Sequence, residues 1–404
     1  MPVKSNAKLV TPATSGLVSS VVSLNPEVKQ VYPIVNSVYE QMTGQSAIQA
    51  VDTNSLVAMG QTLENLGKKD IWLNTLNKRI GKTIDGYRIY DNHFKDLYKD
   101  EITWGAYVQK LYCEMPEAKL DKAYDVGQMD GQSVDQWIIN NPDVEQKFFE
   151  SETPYSFFIT IQDAFLNEAF LSSFAMNGFI KYIFGAVKNK LELTLEELAR
   201  MCVANYIINV KPQQQFHLVT MYNDTLPSVP VTTQTALADS DFLRWAIGMI
   251  NTLCDFMENY SVSFNSEGKM RFTPARLQRL YLLAPFIGRA KTVVQYAAFN
   301  EKYVSVKPDN VVPYWQATKN ANNQNFKFET LSQIQGTNVS GTQVTLNNVV
   351  GILFDRDAMG TFKQEEQVRT TPVNARALYY NTFWHCRQFW FNDLSENGIV
   401  FFLD

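Results

Sequence analysis

The sequence predicts an α+β fold, and three observations carry that expectation. A continuous apolar stripe at helical spacing crosses the middle of the chain, short apolar runs of strand composition close it, and turn-rich polar segments separate further helices from further strands. At 404 residues the chain has room for one large core or two to three modest ones, because domains run about 100–200 residues.

Residues 1–65 are rich in Val, Ser, Thr, Ala and Gln, with prolines at Pro2, Pro12, Pro26 and Pro33 and little sustained periodicity. They read as an extended arm with short helices. Alone, such a segment buries too little apolar area to offset its chain entropy, so Tyr32, Ile34, Val38 and Tyr39 are expected to pack on something else, a neighbouring subunit among the options. Residues 66–138 turn basic, aromatic and glycine-rich, and Ile84 to Tyr90 alternates as a strand, which predicts a long, partly β excursion. Lys68, Lys69, Lys78, Arg79, Lys82 and Arg88 crowd its first part. A nucleic-acid patch is the sharper reading of those cations, yet Asp70, Asp85, Asp91, Asp96, Asp100 and Glu101 follow closely and favour a solvated or subunit-facing surface.

The clearest helix spans Asn177 to Asn209, where Ile180, Ile183, Phe184, Val187, Leu191, Leu195, Leu198, Cys202 and Tyr206 recur every three or four residues. Unbroken, it would reach roughly 45 Å at 1.5 Å per residue. Thr194 with Glu196 and Glu197 offers a cap for a second helix and a kink near Leu193. Another amphipathic helix is predicted from Ser240 to Tyr260, with Phe242, Trp245, Ala246, Met249, Ile250, Leu253, Phe256 and Met257 on one face. Thr273-Pro274 reads as an N-cap and first position opening a helix through Leu283 that Pro285 and Gly288 end, with a third helix from Arg289 to Ala298. Tyr303 to Thr345 reads as strands and loops, and Val349 to Asp404 as buried strands that leave the C-terminus within a sheet. There is no internal repeat.

Composition narrows function. Hydrophobic residues make up 45% and charged ones 19%, so polarity comes largely from Asn, Gln, Ser and Thr, which suit surfaces buried against a neighbour as well as plain loops. A net charge of −5 and a pI near 5.5 argue against broad nucleic-acid binding, although an acidic shell can enclose DNA without gripping it. Cys113, Cys202, Cys254 and Cys386 lie far apart and predict no disulfide framework. No stretch offers the roughly 18 uncharged apolar residues of a membrane span, and no apolar leader follows a basic start. A soluble protein kept in a reducing cytoplasm is expected.

The search for chemistry returns little. His93, His217 and His385 are isolated and lack metal-ligand spacing. His385-Cys386 is tempting, but neighbours on a strand face opposite ways. Asp355-Arg356-Asp357 could be paired carboxylates with divergent pKa values, or a turn at a strand end with local ion pairing, which is the favoured reading. Acyl-transfer, P-loop and dinucleotide motifs are absent, and the glycosylation-type triplets at Asn223, Asn259 and Asn338 matter only in secreted proteins.

An extended arm, a basic β excursion, a long helix, a mixed region and a returning β tail together resemble the Hong Kong 97-type major capsid fold. The last segment is more specific: Gly351-Ile352-Leu353-Phe354-Asp355-Arg356-Asp357-Ala358-Met359-Gly360, then Phe362-Lys363, Val368-Arg369-Thr370 and Tyr379-Tyr380-Asn381-Thr382-Phe383-Trp384-His385. It is similar to the major capsid proteins of short-tailed, podovirus-like bacteriophages of Gram-positive bacteria, in which a valine-aspartate-lysine/arginine-aspartate strand precedes a Tyr-rich strand. Thr160-Ile161-Gln162-Asp163 and Leu282 to Asn300 agree with the same family.

The resemblance implies an N-terminal arm over 1–65, an E-loop over 66–138, a peripheral domain with its spine helix over 139–209, an axial domain over 210–345, and C-terminal strands over 346–404 that return to the peripheral domain. An added immunoglobulin-like domain, found in some relatives, is expected to be missing. It further implies a non-enzymatic, cofactor-free subunit that binds itself as pentamers and hexamers. Scaffolding protein and portal would be its partners, and it would enclose double-stranded DNA without sequence specificity. Assembly would take place in the host cytoplasm without any membrane, and the product would be the virion. Arm and E-loop would reach across neighbours, with Lys68, Lys69, Lys78, Arg79, Lys82 and Arg88 as inter-subunit contacts. Gly178 and Gly185 would serve as hinges, since one sequence must fit two ring sizes. The competing classes are an enzyme and a nucleic-acid-binding protein, each with an unrecognised site.

Overall fold

The computed structural model of the chain describes residues 26–43, 49–80, 90–99, 108–113, 115, 137, 139, 144–297, 308–316 and 327–404. Besides short 3-10 turns, its elements begin with helices α1 (Pro26–Thr43), α2 (Thr53–Asn65) and α3 (Lys69–Ile80), then strands β1 (Val108–Cys113), β2 (Val144–Phe149) and β3 (Glu152–Gln162). Next come α4 (Asp163–Ala169), α5 (Ser173–Asn209), β4 (Gln215–His217), α6 (Leu218–Asp224), α7 (Ser240–Met257), β5 (Gln278–Leu283) and α8 (Ala284–Ala297). The chain closes with β6 (Asn310–Val312), α9 (Phe328–Leu331), β7 (Ile334–Thr337), β8 (Gln343–Leu346), β9 (Val349–Asp355), β10 (Met359–Thr370), β11 (Tyr379–Asn392) and β12 (Gly398–Phe402). Two units emerge: the first comprises Met1–Asp91, Pro154–Thr194 and Glu365–Cys386, the second Asn92–Thr153, Leu195–Gln364 and Arg387–Asp404. Helix α5 and the three-stranded sheet ordered β10-β11-β3 each contribute segments to both.

In the first unit, α1 carries Pro26 at its first position, where the missing N–H costs nothing. Val31, Val35 and Val38 then fall at i, i+4 and i+7 and are buried with Tyr39. Helix α2 opens on a capping box, with Asp52 accepting from the Ser55 N–H at 2.8 Å and Ser55 Oγ accepting from the Asp52 N–H at 3.0 Å. It buries Leu56, Met59 and Leu63, while Gly67 adopts φ 60° just beyond its end. These helices share one core with Trp72, Leu73 and Leu76 of α3, Phe170, and Met176, Phe179, Ile180 and Ile183 of α5. Trp384 of β11 stacks on Phe157 of β3 at 5.5 Å in the same core.

The arm expected to be extended with short helices therefore carries the helices Pro26–Thr43 and Thr53–Asn65, packed in the core of their own unit. Residues 1–25 lie outside the described residues. The partly β excursion likewise opens on a helix, α3, and the strand expected over Ile84 to Tyr90 falls outside the described residues except at its last residue.

In the second unit a five-stranded sheet runs β4-β12-β9-β5-β6, with β12–β4 and β5–β6 parallel and β12–β9 and β5–β9 antiparallel. Every residue of β9 and β12 is buried because both faces of the sheet are covered. One face sets Val349, Ile352, Phe354, Val400 and Tyr281 against Ala199, Cys202, Val203, Tyr206 and Ile207 of α5. The other sets Val350, Leu353, Ile399, Phe401 and Leu282 against Phe242, Ala246, Ile250 and Leu253 of α7 and Phe286, Ile287 and Ala290 of α8. Of the buried strands expected beyond Val349, β9 and β12 are fully buried, whereas β11 alternates buried with exposed or half-buried positions and β10 exposes Glu366, Gln367 and Arg369.

The helix expected over Asn177 to Asn209 is present without the second-helix cap that Thr194 offered, and two other helix expectations are corrected. Helix α5 is continuous over 37 residues, roughly 55 Å at 1.5 Å per residue, and Thr194 Oγ1 donates to the Lys190 carbonyl at 2.9 Å instead of capping a second helix. Thr273 opens no helix: its buried hydroxyl donates to Asp355, and Gln278–Leu283 is a strand. Helix α8 begins at Ala284, five residues earlier than expected, with Pro285 in its first turn.

Gly351 of β9 has no room for a side chain. A Cβ there would lie 2.5 Å from a Leu282 methyl and 2.9 Å from the Tyr281 carbonyl oxygen on the neighbouring strand. Gly351→Ala is expected to cost about 1–3 kcal/mol by overpacking, read as a lower denaturation midpoint. An unchanged midpoint would mean that the β9–β5 pair shifts freely.

Candidate assembly surfaces

Strands β1 and β2 pair antiparallel as the base of an excursion, with Lys110 directly opposite Lys147 and Leu111 opposite Gln146. Like charges in register repel, and they are reconciled by Asp393, which is 2% exposed. Lys110 Nζ donates to Asp393 Oδ2 at 3.0 Å and Lys147 Nζ to Oδ1 at 3.5 Å. The Ser395 hydroxyl and N–H also donate to Oδ1, at 2.7 and 3.1 Å. Lys110 lies 3.7 Å from Glu396, which Arg271 approaches at 3.5 Å, while Lys147 pairs with Glu267 and Lys269 with Glu145. Tyr112 lies under both the Lys269 ammonium, at 4.8 Å, and the Arg271 guanidinium, at 4.3 Å. A cavity of about 210 Å³ opens between this hairpin base and the body of the unit.

Alternation makes the hairpin inside-out. Its charged face, Lys110, Glu145 and Lys147, turns inward, and Leu111, Val144 and Phe148 are exposed. Burial pushes the Asp393 carboxyl up, but the Lys110 ammonium and the Ser395 donors more than offset it and hold the group below the ordinary carboxylate range. At Glu396 burial wins over Lys110 and Arg271, and nearby Asp355 and Asp393 add to it, so its pKa is raised. None of these residues stood out in the sequence. Strands β1 and β2 carry one lysine each and so offer no local pattern, and their partner Asp393 lies 283 residues from Lys110.

The sequence candidates separate. Lys69 is 7% exposed: its Nζ donates to Asn167 Oδ1 at 2.6 Å and pairs with Glu64 at 3.3 Å and Asp163 at 3.4 Å. It is an internal brace and not a subunit-facing cation. Lys69→Met is expected to destabilise the first unit by about 1–3 kcal/mol, measured as a shifted melt. A melt like the wild type's would return Lys69 to the surface candidates. Lys68 is half-buried, and Lys78 and Arg79 sit in α3. Lys82 and Arg88 lie outside the described residues. Gly178 and Gly185 both sit within the unbroken α5, where an added Cβ meets nothing within 4 Å.

Asp355-Arg356-Asp357 forms the β9–β10 turn. Asp355 Oδ1 accepts from the Asp357 N–H and Oδ2 from Thr273 Oγ1, both at 2.8 Å. Burial raises the Asp355 pKa; at Asp357 burial also pushes upward but Lys99, 2.9 Å away, brings it below the ordinary value. The two carboxyls do diverge, yet each is engaged structurally, Asp355 by the Asp357 N–H and Thr273, and Asp357 by Lys99. His93 contacts Glu196 at 3.3 Å, His217 contacts Asp404 at 2.6 Å, and on β11 His385 is exposed while Cys386 is buried. Among the described residues no three His, Cys, Asp or Glu side chains gather as a metal site, and no helix is long and apolar enough to cross a membrane.

The chain is similar in structure to several phage capsids. With the capsid of Staphylococcus phage Andhra the identity is 12% and the TM-score 0.49, over 80% of this chain and 87% of that one. With the capsid of Cyanophage P-SCSP1u the identity is 13% and the TM-score 0.43, over 80% and 90%. No curated protein matches. Residues 33–402, all but the chain's two ends, match the family described as Phi29-like phage major capsid protein. A match that spans nearly the whole chain, on a fold whose hairpin is held by internal charge, settles the family: the chain belongs to the Phi29-like phage major capsid protein family.

Proposed function

We propose that the chain builds the phage head as pentamers and hexamers around packaged double-stranded DNA, with scaffolding protein and portal as assembly partners. The observation that carries this reading is the family match over residues 33–402, which rests on nearly the whole chain instead of a short motif. Membership makes the protein a structural, non-enzymatic subunit of the virion that assembles with itself into the capsid shell.

We assign the E-loop to 66–138, the spine helix to α5, and the axial domain to 210–345, whose sheet β9 and β12 complete, so that of the strands over 346–404 it is β10 and β11 that return to β3. Support comes from the inside-out hairpin: with its charges engaged internally, its exposed Leu111 and Val144 offer apolar surface to another copy. Lys68, Lys78, Arg79, Lys82 and Arg88 are the remaining contact candidates, and Gly178 and Gly185 the hinge candidates. Many weak contacts add, because each makes the next effectively intramolecular.

Electron microscopy of the purified full-length protein tests the reading. Shells, tubes or rings are expected, and a uniform monomer at high concentration would defeat it. Reversing Lys68, Lys78 and Arg79 to Glu is expected to impair assembly more than folding; normal particles from that variant would remove the cations from the interface.

A further inference from the structure

Helix α6 ends on a residue that has no internal reason to be leucine. Its Thr225 N–H and Leu226 N–H donate to the Tyr222 and Asn223 carbonyls at 3.0 Å, and Leu226 takes φ 55°, the left-handed position beyond a helix that glycine or asparagine usually fills. Leu226 is also 89% exposed. A strained backbone and a solvated leucine together cost the isolated chain stability, the pattern expected where a side chain serves a contact made elsewhere.

The surrounding loop is built to hold it. Asn223 closes the loop on itself, its Nδ2 donating to the Val231 carbonyl at 2.9 Å and its Oδ1 accepting from the Val231 N–H at 3.0 Å. Pro227 and Pro230 restrict the turn between, and Val229 is exposed beside Leu226. Asp224 is the loop's only charge. The result is a pre-organised apolar knob that pays little ordering entropy on docking.

The same unit carries an apolar plate. Ser261 and Arg271 form an antiparallel bridge, exchanging N–H to carbonyl hydrogen bonds of 2.9 and 3.0 Å. Tyr260, Val262, Met270 and Phe272 flank this bridge and are all exposed, with the Tyr260 and Phe272 rings 4.5 Å apart. Phe256, also exposed, lies one helical turn before Tyr260.

A five-membered ring cannot be closed by a self-complementary contact. It needs two different, mutually complementary surfaces on each copy, joined head to tail. We propose that the Asn223–Val231 knob of one copy seats Leu226 and Val229 on the Tyr260–Phe272 plate of the next copy, and that this contact closes the rings. The inference rests on the shell-subunit reading and names the occupant of both surfaces as a second copy of this chain.

The test uses the full chain in four forms: wild type, Leu226→Gly, Val229→Ser, and a plate variant with Tyr260→Ser and Phe272→Ser. Leu226→Gly relieves the strained backbone while deleting the knob, so its melting temperature is expected to hold or rise while particle yield falls at least tenfold. A purely structural leucine would not separate those readouts. The plate variant is expected to lose particles as well, and an equimolar mixture with Leu226→Gly to give dimers, each with one intact contact, and no shells. Should the plate variant fold poorly, Leu226→Cys with Phe272→Cys in a Cys113→Ser background decides the matter: oxidised particles are expected to yield a ladder of covalent oligomers ending at five or six copies. Wild-type assembly by Leu226→Gly, or cross-linked particles that run only as monomer, would overturn the contact and leave the shell reading standing. Failure of the wild type itself to assemble would overturn both.

Discussion

Asp393→Asn is expected to free strands β1 and β2 from the body of the second unit, at a cost of about 2–4 kcal/mol. The substitution keeps the shape and removes the charge that separates Lys110 from Lys147, which face each other in register. Both lysines are partly exposed, so they can turn toward water and relieve part of the repulsion, which keeps the cost below that of a fully buried orphan charge. Phe149 against Phe391 at 5.4 Å and Tyr112 under Lys269 and Arg271 would still hold the hairpin loosely. Hydrogen exchange over Val108–Cys113 and Val144–Phe149 is the direct measurement. Wild-type protection in the variant would show that aromatic packing, not charge, docks the hairpin.

The same cluster sets the sign of the acid response. Asp393 and Asp357 have depressed pKa values, so the stability they contribute is present above the ordinary carboxylate range and is lost as pH falls through their folded values. Glu396 and Asp355 have raised pKa values, so each gains stability as pH falls from its folded value toward its unfolded one. Hairpin protection should therefore hold or improve from neutral pH down to about 4.5 and collapse only below about 4. Loss of protection already near pH 6 would contradict the assignment.

How far the fold was legible follows from where each signal sits in the chain. The α5 stripe and the apolar strands β9 and β12 are local patterns with their own period, and they were readable to within a few residues. The first helices were expected only as short ones in an extended arm, because residues 1–65 show little sustained periodicity, although the Val31, Val35 and Val38 spacing is already helical. Strand β5 was misread because a run buried on both faces has no alternation, and Thr273-Pro274 imitates a helix start. Thr273 spends its hydroxyl on Asp355 instead. The hairpin's docking could not be read at all: inward-facing lysines make sense only beside Asp393, and neither sequence spacing nor composition joins strands that distant. Function was legible through resemblance in the C-terminal strands, of which Ile352, Leu353, Phe354, Tyr380 and Trp384 are core while Arg356, Asp357, Arg369 and His385 are exposed.

The second large effect is expected at Arg200. It is buried on α5 with its guanidinium 4.2 Å from the Tyr314 ring centroid and 5.1 Å from that of Phe94, donating to Glu196 and to the Tyr314 carbonyl. Glu196, itself buried, also faces the His93 N–H and Nδ1 at 3.3 Å. Removing the cation strands a carboxylate away from water, so Arg200→Met is expected to cost about 3–5 kcal/mol, and Arg200→Lys about half that, since it keeps the charge but loses the planar fork and both ring contacts. The pair itself need not be stabilising: two ions taken out of water repay little beyond their own desolvation. Adding Glu196→Gln to Arg200→Met should therefore recover most of the loss, a coupling of several kcal/mol in a double-mutant cycle of denaturation midpoints. Simple additivity of the two substitutions would mean that Arg200 acts through its stacking on Phe94 and Tyr314, and that the ion pair is incidental to how the Phe94 segment is held against the long helix.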